Sequence, residues 1–232
     1  IENSTLTTKG NVLVKSGFVG TGEGYIIADG DVNVGYIHNQ NIKSRANIVI
    51  AKEAIQSNLY ARQSIKVYGK NISAVGGKLS ARFEIELFTS GNESGTKTEL
   101  EAGIDFALVE EKLKTEDKIK ELLENRPKVH DNIIKLQTLK QRKKTLLPPK
   151  QESLLKKLLI IEQKINKQNE ALLKRKKILE NKLNEVGKAR ILIKSTIYPG
   201  TIIKIHDRIM TINEEIIGPK QILLIDDEIK IV

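Results

Sequence analysis

The sequence predicts a mainly β protein with an α insertion: a parallel β-helix interrupted by a long antiparallel coiled-coil hairpin. Three observations carry that expectation. The first is a five-fold echo, Gly10-Asn-Val-Leu-Val14, Gly30-Asp-Val-Asn-Val34, Ala46-Asn-Ile-Val-Ile50, Gln63-Ser-Ile-Lys-Val67 and Phe83-Glu-Ile-Glu-Leu87, whose starts lie 20, 16, 17 and 20 residues apart. That spacing suits one coil of a β-solenoid, and coils of this kind bury their apolar face only by stacking on one another. The second is a change of hydrophobic period, from two to three-and-four beyond Gly103 and back again beyond Gly187. The third is Pro148-Pro149, which divides the helical stretch into two arms.

Residues 1–103 supply the first rungs. Alternation puts Val12 and Val14, Val32 and Val34, Ile48 and Ile50, and Ile65 and Val67 on one face. Shorter echoes, Tyr25-Ile-Ile-Ala28, Asn41-Ile-Lys-Ser44, Asn58-Leu-Tyr-Ala61 and Lys78-Leu-Ser-Ala81, read as another side of the same coil. An antiparallel sandwich is the competing architecture. Its signature is the two-residue hairpin loop of the Asn-Gly type, which this segment lacks.

Residues 104–187 form the predicted hairpin, with its turn near 146–149. On the first arm Leu108, Ile119, Leu122, Val129, Ile133 and Leu136 share one heptad frame. On the second, Leu154, Leu158, Ile161, Ile165 and Leu172 do so before the frame moves to Leu179, Leu183 and Val186. Gln168 and Arg175 then fall on the seam, which predicts a stutter. Pro127 is expected to kink or break the first arm, because it lacks a donor and clashes with the preceding turn. Arms of this length reach about 60 Å at 1.5 Å per residue. Gly187 is the expected end of the second arm. Strands return over 188–232, in Ile191-Leu-Ile-Lys194, Thr201-Ile-Ile-Lys-Ile205, Arg208-Ile-Met-Thr-Ile212, Gln221-Ile-Leu-Leu-Ile225 and Glu228-Ile-Lys-Ile-Val232. A hairpin returns the chain to where it left, so these strands complete or cap the β-helix.

Composition narrows the chemistry. The chain has no Cys, which removes disulfides, thiolate catalysis and cysteine-ligated metals and fits a reducing compartment. Trp is absent and aromatics make up 4%, so the core is aliphatic. The chain starts at Ile1 and its one Met is Met210, as expected of a fragment of a longer protein. No window is long and apolar enough to span a bilayer. Of the net charge of +10, residues 104–187 carry +8, from 21 basic and 13 acidic side chains.

These motifs resemble the flagellar assembly protein A family, also described as polymer-forming. Three passages carry the resemblance: the Gly-Asp-Val-x-Val repeat at Gly30–Val34; the double-glycine rung Val75-Gly-Gly-Lys-Leu-Ser-Ala81, followed by a Ser/Gly/Thr-rich run and Gly103; and Ile197-Tyr-Pro-Gly200 with Thr201-Ile-Ile-Lys-Ile205 just after the hairpin. The resemblance implies a right-handed β-helix with a coiled-coil region, and roles in bacterial assembly or polar localisation. It supplies no catalytic motif. The separate N-terminal domain usual in the family is not present in this sequence.

The most site-like feature is the basic tip of the hairpin, Lys140, Arg142, Lys143, Lys144 and Lys150, around Leu146-Leu147. It is expected to dock an acidic protein partner, an anionic membrane surface or nucleic acid. The tip has no aromatic residue for base stacking, so protein docking is the leading expectation and a nucleic-acid-binding arm the alternative. Self-association through the solenoid end or the outer face of the hairpin is a further expectation. His38, His130 and His206 show no metal-ligand spacing. Gly17-Phe-Val-Gly20-Thr-Gly22-Glu-Gly24 lacks the Lys-Ser/Thr and following helix of a phosphate loop. Asp29, Asp31, Glu84 and Glu86 are the carboxylates that a β-helix hydrolase or lyase would use, but Glu84 and Glu86 alternate with Ile85 and Leu87 as an ordinary outward row. The expectation is a non-catalytic cytoplasmic scaffold with no cofactor, associating with membrane or cell pole through partners.

Overall fold

The computed structural model describes residues 1–143, 148–184 and 189–232, and the side chains of all of these except 142, 143 and 184. It resolves into two compact units, one made of Ile1–Ala107 with Glu185–Val232 and the other of Leu108–Asn184.

The first unit is a β-solenoid. Each coil contributes one residue to every ladder, so aliphatic side chains stack in columns along the axis. On one side Val12, Val32, Ile48, Ile65, Ile85 and Ile191 stand in parallel register. On a second side Ile26, Ile42, Leu59, Leu79, Leu100 and Ile203 do the same. Between them runs a short third side, where Phe18, Ile37, Ala54, Ala74, Ser90 and Ile197 succeed one another. Nearly all of these are fully buried. The sequence echoes pick out the two longer sides. The third offers a single inward residue per coil, too few to leave a period.

Polar ladders close the corners. Asn11 Oδ1 accepts from the Asp31 N–H at 2.8 Å, and Asp31 Oδ1 accepts from the N–H and Nδ2 of Asn47 at 3.0 and 2.9 Å. At another corner Asn58 Nδ2 donates to Asn41 Oδ1 at 3.0 Å, and Asn41 Nδ2 donates to the Gly22 carbonyl at 2.8 Å. Side chains thus take up backbone groups that tight turns leave without a ladder partner.

The insertion leaves from one corner. Successive coils cross it with short connections, such as Arg62-Gln63 between strands Ala54–Ala61 and Ser64–Val67, and Arg82-Phe83 between Ala74–Ala81 and Glu84–Ser90. After strand Thr98–Ala102 the same corner instead opens into helices α1, Phe106–Lys143, and α2, Pro149–Asn184. The chain then resumes with Arg190–Ile197 stacked on Glu84–Ser90, and Thr201–Ile205 stacked on Thr98–Ala102.

The end of the solenoid is closed by reversal of direction. Arg208–Thr211 folds antiparallel onto Thr201–Ile205, Lys220–Ile225 pairs antiparallel with Arg190–Ile197, and Glu228–Ile231 returns along Lys220–Ile225. The loops turn at His206, Asp226 and Asp227, with φ of 55°, 51° and 67°. Asp supplies the left-handed conformation more often given by Asn-Gly.

In the second unit α1 and α2 run antiparallel. Glu111 meets Arg175, Glu116 meets Lys176, and His130 meets Glu162. Ile133, Leu136 and Leu155 form a buried cluster joined by Val129, Leu158 and Leu159. The break allowed for at Pro127 and the stutter expected near Gln168 and Arg175 are corrected. Helix α1 continues through Pro127 rather than breaking there. Pro127 is exposed, so water can reach the carbonyl it leaves without a donor. The stutter is also absent. The less exposed stripe of α2 runs Leu155, Leu158, Glu162, Ile165, Asn169, Leu172, Lys176, Leu179 and Leu183 in one unbroken heptad frame, while Gln168 and Arg175 are exposed. Polar residues every seventh position hid that frame from a purely apolar reading.

Candidate functional site

The root of the hairpin is built around Asp105, whose side chain is 3% exposed. Its Oδ1 accepts the Ala107 N–H at 3.1 Å, capping α1. Its Oδ2 accepts from Arg62 Nε at 3.0 Å and Arg82 Nη1 at 3.4 Å. Both arginines stand at the same corner of earlier coils. Beside them Phe106 tilts against Tyr60, with ring centres 6.1 Å apart. Nothing in the sequence distinguished Asp105 from other acidic residues. A close reading would have seen only an Asp preceding an apolar-periodic run.

At the far end of the hairpin, Lys140 lies on α1 and Lys150 on α2, and both are exposed. Neither has a salt-bridge partner among the described residues. Arg142 and Lys143 belong to α1, but their side chains fall outside the described set, as do Lys144 and Leu146-Leu147 altogether. The expected turn at 146–149 is therefore described only from Pro148 onward. There the Pro148 carbonyl accepts the Gln151 and Glu152 N–H groups at 2.8 and 3.1 Å, and Pro149 opens α2, a position where its missing N–H costs nothing.

The four carboxylates weighed for catalysis are occupied. Glu84 takes Arg190 Nε at 2.6 Å and Lys66 at 3.3 Å; Glu86 takes Lys66 at 3.0 Å and also Lys194. Hydrogen bonding from Lys194, with further help from Lys66, holds the Glu86 carboxyl below its usual range. That is the opposite of what a general acid needs at neutral pH. Asp31 is bonded to Asn47, and Asp29 lies 3.4 Å from Arg45. The histidines are dispersed: His38 pairs with Glu53 at 2.9 Å, His130 with Glu162 at 2.8 Å, and His206 sits in a turn. Among the described residues no group of three or more His, Asp or Glu side chains converges as a metal site. Of the glycines of Gly17–Gly24, Gly17 lies within strand Val12–Val19 directly under the Tyr36 ring, and Gly20, Gly22 and Gly24 lie in the connection that follows.

What remains is a solenoid of stacked coils with two helices inserted in its sequence, and a comparison with known families identifies it. The model of the Flagellar Assembly Protein A (FapA) β-solenoid domain matches residues 1–229. This chain belongs to the FapA family. The match spans the solenoid, the insertion and the returning strands, as the resemblance implied. By its description the family is one of flagellar assembly. No curated protein and no solved structure matches the chain. No described helix is long and apolar enough to cross a membrane.

Proposed function

We propose that this FapA-family chain is a non-catalytic bacterial scaffold that works in flagellar assembly or polar localisation and docks a protein partner through its helical arm. The solenoid supplies a stiff support, because every coil is hydrogen-bonded to the next and its core is continuous. The arm presents Lys140, Arg142, Lys143, Lys144 and Lys150 to an acidic partner in the cytoplasm. The observation that carries this reading is charge placement: residues 135–157 contain eight basic side chains and one acidic, Glu152. Glu152 itself lies 3.7 Å from Lys156. The solenoid carries its charges differently, in paired ladders such as Lys66, Glu84, Glu86, Arg190 and Lys194.

The test is a comparative pull-down from nuclease-treated bacterial lysate, using this chain and a variant with Lys140, Arg142, Lys143 and Lys144 changed to Gln. A protein recovered by the parent chain alone supports the tip as a docking point. Equal recovery by both baits removes the tip from the reading. Recovery that depends on omitting the nuclease points to nucleic acid, and sedimentation with anionic vesicles points to membrane contact. Light scattering on the parent chain tests self-association.

A further inference from the structure

Starting from Lys150 at the tip, one side of α2 carries a regular stripe. Lys150, Leu154, Lys157, Ile161 and Lys164 follow one another at steps of four, three, four and three residues. That spacing places them in a single row along the helix. All five are exposed, Leu154 at 48% and Ile161 at 44%, although both are aliphatic. None of the three lysines has a salt-bridge partner among the described residues. Elsewhere on the hairpin, three cations at or beside the seam are paired: Lys112 with Glu180, Lys176 with Glu116 and Arg175 with Glu111. The acidic residues of the distal half of α2, Glu152 and Glu162, are engaged off this row, by Lys156 and His130.

A row in which cations and aliphatic residues each recur every seven residues has the period of helix-on-helix packing, the arrangement that a and d residues with flanking e and g charges give in helical bundles. The row is narrow, bounded on one side by the less exposed stripe of Leu155, Leu158 and Ile165. A bilayer surface selects a broad apolar face instead. Free positive charge repeated at seven-residue intervals complements a helix that offers carboxylates at the same interval. We propose that this side of α2 docks an acidic amphipathic helix of a partner protein, with Leu154 and Ile161 packing against its apolar row and Lys150, Lys157 and Lys164 pairing with its carboxylates. The proposal rests on the reading of the arm as a protein-docking element and moves the contact from its tip to its flank.

The test uses the full chain and a fluorescein-labelled synthetic helix of about four heptads, with Leu at the two core positions and Glu at the flanking ones. A second peptide, with Lys replacing Glu, is the control. Anisotropy titration should show binding of the acidic peptide alone. Binding should weaken with added salt, and at least tenfold in a Lys150→Glu, Lys157→Glu, Lys164→Glu variant and in a Leu154→Ser, Ile161→Ser variant. Circular dichroism checks that both variants keep their helices. Charge reversal at Lys167 and Lys174, exposed on another face of α2, should leave binding unchanged. The proposal is overturned if the parent chain ignores the acidic peptide, or if the Lys167/Lys174 reversal weakens binding as much as the stripe reversal. It is likewise overturned if phosphatidylserine vesicles, and no peptide, distinguish the parent from the stripe variants. A tip variant that loses its lysate partner beside a stripe variant that keeps it would sink this inference and leave the docking reading standing.

Discussion

Single residues decide where this chain has room to change. Gly77 adopts φ of +74°, and a Cβ there would sit 2.2 Å from the Ser57 carbonyl oxygen, a backbone atom of the coil below. Gly77→Ala therefore meets both backbone strain and a clash that no rotamer relieves, and should cost about 2–3 kcal/mol. A lowered urea midpoint measures it, and an unchanged midpoint would show that the corner can yield. The opposite sign is expected inside the hairpin. The side-chain Oδ1 of Asn169 is buried without a hydrogen-bond partner among the described residues, on the stripe that faces α1. Removing an unpartnered polar atom recovers its desolvation cost, so Asn169→Leu should stabilise the hairpin by about 1–2 kcal/mol. The helical dichroism signal would then melt at higher temperature; a fall would mean that the amide is better satisfied than its surroundings show.

At the scale of elements, ion pairs cross from coil to coil and tie strands far apart in sequence. Glu86 lies between Lys66 of the preceding coil and Lys194 of the coil after the insertion, and both hydrogen-bond it. Its carboxyl is held below the ordinary value of 4.5. A depressed folded-state value stabilises the protein above the unfolded value, and that contribution disappears as pH falls through the folded value. Glu86→Gln should therefore destabilise the solenoid at pH 7 and make progressively less difference below about 4.5. Denaturation of both proteins across pH 7 to 3 checks this, and a gap that persisted in acid would assign the loss to packing. Much of this architecture was legible in the sequence, because the rows that carry the core, such as Val32/Val34 and Ile48/Ile50, alternate cleanly. The short third side was not, since one inward residue such as Ala54 leaves no pattern. The seam of α2 was not legible, because Glu162, Asn169 and Lys176 occupy every seventh place and the nearest aliphatic residues, Leu154 and Ile161, stand beside it. The basic tip was legible as charge alone. Asp105 was invisible, since its partners Arg62 and Arg82 come from coils that only the fold brings to it.

For the whole molecule, the insertion at a corner implies that the solenoid does not need the arm. Deleting residues 104–188, which leaves Gly103-Ala189 as a two-residue connection of the Arg82-Phe83 kind, should leave a folded solenoid, with strand dichroism retained and a cooperative melt. A chain that aggregates or melts without cooperativity would show that the arm is part of the folding unit. In the intact chain, that same corner sets an order of events. Strand Glu84–Ser90 finds its neighbour Arg190–Ile197 only across the entire insertion. Closing a loop becomes harder with each doubling of free chain, by about 0.6 kcal/mol. Helical pairs form from local contacts within microseconds, far sooner than distant strands meet. Once α1 and α2 have zipped together, the span left to close shrinks to a few residues, several doublings fewer. The final coils and their antiparallel cap are then the last part of the rod to be laid down, and during synthesis the growing end of the solenoid stays open until the arm has closed.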